Sequence, residues 1–418
     1  MSSRLTEPSF WKQPMAARMN EMIDIRESGP FSEASFLNEM TGQTETFHAV
    51  TRYAEIVDIS KRPKEFCSGQ GAVSIADLPA EALEFFGSFI NMDNPRHQRQ
   101  RAIVAKTFTP TDLQNVLDSV ETIAREVIDD FCEAGEVDLV RVLSQPYPLL
   151  IICDMMGIPR SEFDTVLRAT NVILSGGDRE FIGDGDPMMA MFGAGMELTN
   201  LMNELAEERR KNPTDDLTSK LVHNDVDGDM LAPEEIAPFF ILLAVAGNDT
   251  TRTAISHGMH LLSLHPDQRE IWQSDVDGVT DTAVEEIVRY SSPVTFMRRT
   301  LTTDLTMSGH DFVTGDKVVL LYGAANRDPR AFDEPERFDV RRSPNAHLGF
   351  GGPGPHYCLG AHLARRELNV VFRQLFDRLP DIEVSGDVVP LDVQGLPLVG
   401  GIKHLPVRFT PVARSAAG

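Results

Sequence analysis

The sequence is poor in cysteine. Its 418 residues include four cysteines, and no two of them have the CxxC spacing of zinc sites or redox motifs. We therefore expect neither a zinc site nor a disulfide framework. Three of the four, Cys67, Cys132 and Cys153, are predicted to be ordinary small buried side chains in a reducing environment.

Long apolar runs and basic residues are scarce as well. The longest apolar stretch, residues 239–247 (FFILLAVAG), is far shorter than the about 20 residues that a membrane helix needs. The N-terminus lacks the apolar segment of a secretory signal. The chain has 39 Lys and Arg against 63 Asp and Glu, a net charge of -24, which disfavours nucleic acid and anionic membranes as partners. We expect a cytoplasmic protein that neither spans a membrane nor binds nucleic acid.

The patterning that is present is mostly helical. Apolar residues recur at helical spacing over several stretches, and the longest helix should run for about 30 residues from Pro233 until Pro266 stops it. Residues 47–60 indicate a short strand that runs into a helix, and the other strand-like patterns lie late in the chain, at residues 305–321 and 401–411. The sequence therefore predicts a mainly α protein with small β-sheets, a single domain over residues 1–418, in which the long helix crosses the molecule.

One cysteine stands in an unusual setting. Residues 350–367, FGGPGPHYCLGAHLARRE, place Cys358 after a glycine-rich loop and directly before a helix. Backbone N–H groups and a helix N-terminus lower the pKa of a thiol and adjust how strongly its sulfur donates to a metal. Glycines let the backbone fold closely around the sulfur. The pattern predicts a thiolate metal ligand at Cys358.

The long helix contains polar residues where apolar ones are expected. Residues 246–251, AGNDTT, interrupt an apolar run, and Asp and Thr are poor choices for a helix interior. A Thr hydroxyl can bond back to the carbonyl four residues earlier and distort the helix, and such distortions often mark functional sites. A polar kink with a purely structural role is the alternative.

Together these segments resemble the cytochrome P-450 family. The family's ligand loop is written FxxGxHxCxG; Gly354, His356, Cys358 and Gly360 match it, whereas Phe350 lies eight residues before the cysteine instead of seven. The resemblance implies the cytochrome P-450 fold, with the long central helix crossing the haem. It implies haem b as the cofactor and Cys358 as the ligand to its iron. The other haem contacts that it implies in these two segments are Ala246, Gly247, Phe350, Gly351, His356 and Gly360.

The same resemblance assigns roles to residues elsewhere. Asp249 and Thr250 match the acid and the alcohol that deliver protons to dioxygen at the iron. Glu286 and Arg289 match the ExxR motif, whose second arginine we expect at Arg337, in a buried network that braces the cysteine loop. As a bare pair three residues apart, they would be a surface salt bridge. The two haem propionates need cationic partners, and the matching residues are His97, Arg101, Arg299 and His356.

The implied activity is a monooxygenase reaction, in which O₂, two electrons and two protons insert one oxygen atom into a C–H bond of a hydrophobic small molecule. No flavin or iron–sulfur motif follows Thr410, so we expect electrons from a ferredoxin and a ferredoxin reductase, delivered to a monomer. Arginines near the cysteine loop in sequence are candidate docking charges or else a solvated face: Arg341, Arg342, Arg365 and Arg366. Two alternatives are a peroxide-driven haem-thiolate enzyme and a haem binder or sensor without turnover.

Longer strings, among them LIICDMMGIP, FFILLAVAGNDTTR and AVEEIVRYSSPV, resemble actinobacterial hydroxylases of methyl-branched lipids and sterol side chains. Such enzymes attack a terminal methyl group, which requires a narrow apolar channel that presents the chain end. One departure is Asp249, where those relatives have Glu; either acid can relay protons. The implied substrate contacts, each with ordinary core packing as its alternative, are Phe85, Phe86, Phe89, Met92, Val245, Ala246, Val294, Thr295, Phe296, Met297, Leu398 and Val399.

Overall fold

The computed structural model describes residues 4–13, 15–38, 41–78, 88–107, 114–175, 177–223, 231–392 and 396–415. The chain is 54% helical with small sheets, which confirms the predicted mainly α class. Within the described ranges, every helix is too short or too polar to cross a membrane. The assignment of residues 1–418 to one domain stays a prediction.

The α-helices carry most of the core. In chain order they are α1 Pro8–Trp11, α2 Met15–Ser28, α3 Tyr53–Lys61, α4 Arg96–Thr107, α5 Gln114–Phe131, α6 Pro146–Met156, α7 Phe163–Leu174, α8 Arg179–Ile182, α9 Pro187–Lys211, α10 Leu217–His223, α11 Pro233–Leu264, α12 Pro266–Ser274, α13 Val276–Ser291, α14 Tyr322–Ala325 and α15 Ala361–Arg378. Tighter or wider helical turns occur at Arg4–Thr6, Phe89–Asn91, Val140–Ser144 and Arg160–Glu162.

The strands form small sheets beside the helices. They are β1 Phe31–Asn38, β2 Gln43–Val50, β3 Phe66–Cys67, β4 Glu136–Asp138, β5 Phe296–Leu301, β6 Leu305–Met307, β7 His310–Phe312, β8 Lys317–Leu321, β9 Glu383–Val384, β10 Val389–Pro390, β11 Ile402–His404 and β12 Pro406–Arg408. The largest sheet has the order β1-β2-β8-β5-β3, with β2 and β8 parallel and the other pairs antiparallel. The strands include the regions predicted from the sequence.

Helix α11 is the long helix that the sequence predicts. Its 32 residues correspond to about 48 Å at 1.5 Å per residue. At its start, Pro233 occupies the first turn and Glu235 accepts the backbone N–H of Ala232 at 2.9 Å, both of which favour a helix N-terminus. Glu235 also accepts from Arg99 and Gln100 of α4, each at 2.8 Å. Further along, α11 contacts α6, α9, α13 and α15, so it lies at the centre of the helical core.

A buried carboxylate joins α13 to the chain that leads into the cysteine loop. Glu286 and Arg289 are fully buried and form a bidentate pair, with N–O distances of 2.7 and 2.8 Å. Arg289 also donates to the carbonyls of Asn326 and Pro335, each at 2.8 Å. Glu286 accepts the backbone N–H of Asp339 at 2.9 Å. Because breaking a buried pair typically costs about 3–5 kcal/mol, this contact fixes the segment that precedes the cysteine loop.

The prediction that the Arg337 side chain completes this network is wrong. That side chain is exposed and pairs with Glu334 at 3.1 Å, while its carbonyl accepts from Arg289 at 3.0 Å. Arg342 takes the predicted place, with its Nε 3.2 Å from Glu286 and a side chain that is 10% exposed. Both arginines lie in one segment, and the turns of that segment decide which of them folds back onto α13.

We predict that Arg342→Ala lowers the free energy of unfolding by about 3 kcal/mol, because it removes one partner of a buried carboxylate. Arg337→Ala should change it by less than about 0.5 kcal/mol, because its ion pair is exposed. Urea unfolding of both variants and the parent protein measures the difference. Equal losses for the two variants would contradict the assignment of Arg342 to the network.

Candidate functional site

A cavity of about 220 Å³ lies between α11 and the cysteine loop. Four parts of the chain supply most of its lining: α11, the cysteine loop, the segment from Pro293 into β5, and the turn at Phe89–Asn91. The residues predicted from the sequence that line it are Phe89, Arg101, Ala246, Gly247, Thr250, Val294, Met297, Arg299, Phe350, Gly351, His356, Cys358 and Gly360. The fold therefore gathers most of the predicted haem contacts around one space.

The cysteine loop is held by its own backbone. The N–H of Cys358 donates to the carbonyl of Phe350 at 2.9 Å, and Gly351, with φ of +88°, turns the chain between them. A Cβ on Gly354 would lie 2.1 Å from the backbone oxygen of Ser60, so the loop packs on the end of α3 only with glycine at this position. Helix α15 begins three residues after the cysteine.

The sulfur opens onto the cavity, and its surroundings do not ionise it. Burial raises the pKa of the Cys358 thiol, and the backbone N–H of Gly360 and the charges of Arg101 and Arg365 offset only part of the rise. The backbone N–H of Gly360 acts on this pKa in the expected direction, but burial outweighs it. A thiol that coordinates a metal is deprotonated by the metal, so metal binding would supply the thiolate.

Four basic side chains meet at one end of the cavity. The rings of His97 and His356 lie 4.2 Å apart, and Arg299 is buried beside them. Burial, together with the charges of Arg299, His97 and Arg101, lowers the pKa of His356 to about 2. Burial and the charge of Arg101 also lower the pKa of His97. Like charges so close together are unfavourable unless an anion lies between them.

This cluster fits the carboxylates of a haem. The Nε2 atom of His97 is buried and has no hydrogen-bond partner among the residues that the structure describes, although buried polar atoms are normally paired. Arg101 donates to the carbonyl of Tyr357 at 2.6 Å, which places its guanidinium next to the cysteine loop. The donors present are thus those that two propionate groups need.

Two of the polar residues of α11 that the sequence singles out face different ways. Thr250 lines the cavity, and its hydroxyl donates to the carbonyl of Ala246 at 2.8 Å, as expected for Thr inside a helix. Asp249 is 2% exposed and lies 3.5 Å from Arg252, which also donates to Asn171 at 3.2 Å. Burial raises the pKa of Asp249 despite the charge of Arg252.

Gly247 has a packing role besides lining the cavity. A Cβ on this residue would lie 2.8 Å from Cδ1 of Ile152 on α6. The absence of a side chain therefore lets α11 approach α6 closely. Glycine at this position thus serves helix packing as well as the haem contact that the resemblance implies.

Sequence reasoning missed Glu367. It lines the cavity and is 3% exposed, and burial raises its pKa to about 8, with a hydrogen bond from Thr251 opposing the rise. A signal was present: Leu363, Glu367 and Val371 are spaced four apart on α15, and both flanking residues are buried. An acid on the apolar stripe of a helix indicates a buried carboxyl group.

Several predicted substrate contacts lie elsewhere. Phe296 packs with Val319 and Leu321 in a separate core cluster. Thr295 faces a second, small cavity beside α2, and Met92 is buried in the main core while its carbonyl accepts a hydrogen bond from His356. The prediction of these three as substrate contacts is wrong. Strand alternation explains Phe296, because Met297 and not its neighbour faces the cavity.

The remaining predicted substrate contacts also lie outside the cavity lining or outside the described residues. Val245 and Leu398 are not among the described residues that line the cavity, which corrects both assignments. Val245 packs against the main core and Leu398 against the cluster of Phe296. Val399 forms a single β-bridge with Val294, which lines the cavity, but is not itself among the described lining residues. Phe85 and Phe86 lie outside the described residues. Apolar lining residues that the sequence did not single out include Ile90, Ile152, Phe239, Leu242, Leu243, Ala254, Val288, Pro293, Tyr322, Leu359, Leu363, Ala364 and Leu368.

We predict that Glu367→Gln stabilises the protein increasingly as pH rises. The folded-state pKa is raised from 4.5 to about 8, so between these values only the unfolded chain releases the proton, and the parent loses stability that the amide variant keeps. The difference should grow from about pH 5, reach about 3–5 kcal/mol near pH 8, and then level off. Urea unfolding at each pH measures it, with exposed Glu270→Gln as the control. A difference that does not vary with pH would refute the assignment.

Comparison with known proteins agrees with this geometry. Residues 39–394 match the family model described as Cytochrome P450. Over 365 residues the chain is 46% identical to a methyl-branched lipid omega-hydroxylase of Mycobacterium tuberculosis, covering 87% of this chain and 84% of that protein. Over 403 residues it is 34% identical to a steroid C26-monooxygenase of Mycolicibacterium smegmatis, covering 95% and 92%.

Solved structures give the same result. A cytochrome P450 of Mycobacterium marinum in complex with pseudoionone superposes with a TM-score of 0.91 at 39% identity, over 98% of this chain and 99% of that one. These matches confirm the resemblance stated from the ligand loop and the long helix. The chain belongs to the cytochrome P450 family of monooxygenases, whose cofactor is a haem iron.

Proposed function

We propose that this cytochrome P450 hydroxylates the terminal methyl group of a methyl-branched lipid or of a steroid side chain. The observation that carries the proposal is the apolar lining around Thr250 and Cys358, which Phe89, Phe239 and Met297 help to form. A pocket with few polar groups accepts an aliphatic chain and offers little to a polar substrate. The names of the two relatives, a methyl-branched lipid omega-hydroxylase and a steroid C26-monooxygenase, support the same substrate classes.

A pair of aromatic rings supplies the selectivity for the chain end. Phe89 and Phe239 both line the cavity, and their ring centroids lie 6.2 Å apart at an interplanar angle of 29°. A primary C–H bond is stronger than a secondary one, so attack at the terminus depends on which carbon the walls admit. Rigid rings that narrow the space favour an extended chain presented end first.

Haem b is the cofactor that the lining residues fit. Cys358 would ligate its iron, and the propionates would bind the cluster of His97, Arg101, Arg299 and His356. When bound, haem supplies dioxygen activation, assisted by electron density from the thiolate. An anionic ligand would also give the buried Nε2 of His97 a hydrogen-bond acceptor and relieve the repulsion within the cluster.

Protons reach the cavity through α11. Asp249 is buried outside the cavity, where its raised pKa lets it hold a proton nearer neutral pH. Thr250 presents its hydroxyl to the cavity one residue later. The Thr250 hydroxyl is donor and acceptor at once, so it can take up a proton at Oγ1 and donate one into the cavity when it leaves the carbonyl of Ala246. Asp249, which lies against Arg252, supplies that proton when its side chain turns toward the cavity. The apolar lining keeps bulk water from supplying protons without control.

Electrons come from a ferredoxin and a ferredoxin reductase, and the protein works as a monomer in the cytoplasm. Three of the four arginines considered for docking are paired with acidic side chains, whereas Arg341 is exposed. Arg342 is bound to Glu286, Arg365 to Glu285 at 2.9 Å, and Arg366 to Glu121 at 2.5 Å. Paired charges steer a partner weakly, so docking relies on other residues as well.

The function is tested by a binding and product screen on the haem-loaded protein. A methyl-branched fatty acid and a 3-keto steroid with an intact side chain should shift the Soret band from low to high spin at lower concentration than the unbranched fatty acid of equal carbon number. With ferredoxin, its reductase and NAD(P)H, the product should carry its hydroxyl on the terminal carbon. Internal hydroxylation, or equal affinity for the unbranched acid, would overturn the substrate assignment. Turnover with peroxide alone would favour a peroxide-driven haem-thiolate enzyme. Formation of no product at all would favour a haem binder or sensor without turnover.

A matched pair of variants tests the role of the ring pair in the same assay. Phe239→Ala should move part of the hydroxylation from the terminal carbon to internal carbons, because the widened cavity admits a bent chain. Phe36→Ala, which removes a ring from the separate cluster of Phe296, should leave the product distribution unchanged. Unaltered products from Phe239→Ala would remove this ring from the selectivity.

We predict that Thr250→Ala uncouples electron use from product formation. Without the hydroxyl, controlled proton donation at this point of the cavity is lost. The amount of product per NAD(P)H should therefore fall severalfold while peroxide release rises. Thr250→Ser, which keeps the hydroxyl, should retain most of the coupling. Product, peroxide and NAD(P)H consumption are measured together. Coupling that Thr250→Ala leaves unchanged would exclude Thr250 from the proton route.

A further inference from the structure

Three side chains meet beside the cysteine loop, outside the lining of the cavity. Glu285 of α13 accepts hydrogen bonds from Arg365 of α15 at 2.5 and 2.9 Å, and it lies 2.9 Å from Nε2 of His347. His347 is 2% exposed, whereas Glu285 and Arg365 are partly exposed. We call Glu285, His347 and Arg365 the loop clamp. It links two helices to the segment that enters the cysteine loop.

The hydrogen bonds fix the state of the imidazole ring. The backbone N–H of Gly349 donates to Nδ1 of His347 at 3.1 Å, so Nδ1 must carry a lone pair and not a proton. The hydrogen therefore sits on Nε2, which donates to Glu285. Both ring nitrogens are used, and the ring cannot turn without losing one bond. The clamp is thus a neutral imidazole and an ion pair.

The clamp holds Phe350 from two sides. The guanidinium carbon of Arg365 lies 4.2 Å from the centroid of the Phe350 ring, within the range of a cation–π contact. The ring of His347 lies 5.7 Å away on a tilted plane. The carbonyl of Phe350 in turn accepts the N–H of Cys358 at 2.9 Å. Any movement of Arg365 or His347 is therefore passed to the backbone that carries the sulfur.

We infer that Glu285, His347 and Arg365 are positioning residues that hold Phe350 against Cys358 and set the electrostatic field at its sulfur, and thereby the reduction potential of the iron. The inference rests on the proposed role of Cys358 as the iron ligand. Contacts behind a metal ligand orient it and tune the metal. Glu285 also neutralises the nearby charge of Arg365, so removing either member leaves the other uncompensated, with opposite sign.

The test is the midpoint potential of the haem-loaded protein without substrate or redox partner, measured by spectroelectrochemistry. Glu285→Gln leaves the positive guanidinium unneutralised and should raise the equilibrium constant for one-electron reduction severalfold. Arg365→Gln leaves the carboxylate and should lower it severalfold. A brace with no electrostatic role is loosened by either change and does not predict opposite signs. The optical signal comes from the haem-loaded fraction, so partial haem loss does not obscure the result.

The chain offers a control on the same two helices. Arg373 of α15 pairs with Asp277 of α13, and Arg373→Gln and Asp277→Asn should leave the potential unchanged. Arg365→Lys keeps the charge and should retain nearly the parent potential. Shifts of the same sign in Glu285→Gln and Arg365→Gln, or no shift in either, would overturn the inference. Failure of the proposed ligand is seen separately, as an unchanged ferric spectrum in Cys358→Ser, and failure of the substrate class leaves these potentials valid.

Discussion

The carboxylate of Glu286 is the contact on which the geometry of the site depends. It is fully buried, and its partners include the guanidinium of Arg289, the N–H of Asp339, Arg342, and the amide of Asn345 at 3.1 Å. A buried charge is tolerable when its lone pairs are all used, and here each partner except Arg289 comes from the segment that runs toward the cysteine loop. Glu285, the preceding residue on α13, contacts His347 in the next part of that segment. These two consecutive acidic residues of α13 thus fix the position of the segment that leads to Cys358.

The cavity that results is assembled from groups that are unfavourable on their own. The thiol of Cys358 has a raised pKa, and the carboxyl group of Glu367 stays protonated to about pH 8. His97 and His356 are driven toward their neutral forms by burial and by nearby arginines. A cation at the sulfur would favour the thiolate of Cys358, and anions at the basic cluster would favour the charged forms of His97 and His356. An iron porphyrin with two propionates carries both, at separate points of one rigid molecule.

The elements of the fold were largely predictable because their signals are local. Pro233 and Pro266 bound α11 where expected, since proline starts and stops helices through its own ring and missing N–H. The ligand loop was equally predictable, because its motif is contiguous in the sequence. Errors arose where a choice depends on distant packing: Arg342 instead of Arg337 as the partner of Glu286, and Phe296 on the far side of β5. No local pattern states which of two arginines a turn folds inward, or which strand face meets a cavity.

The charges that line the cavity affect the stability of the folded protein before a cofactor is bound. The buried guanidinium of Arg299 and the unpaired Nε2 of His97 act against the ligand-free folded state. An anionic ligand bound between them relieves both penalties. A ligand that binds the folded and not the unfolded chain stabilises it by an amount that grows with the logarithm of its concentration relative to its dissociation constant, so the cavity makes stability depend on the cofactor. The network around Glu286 stabilises the fold without a ligand, because its charges are paired within the chain. The loop around Cys358 is thus braced before the cofactor arrives, and the cofactor supplies the part of the stability that the cavity withholds.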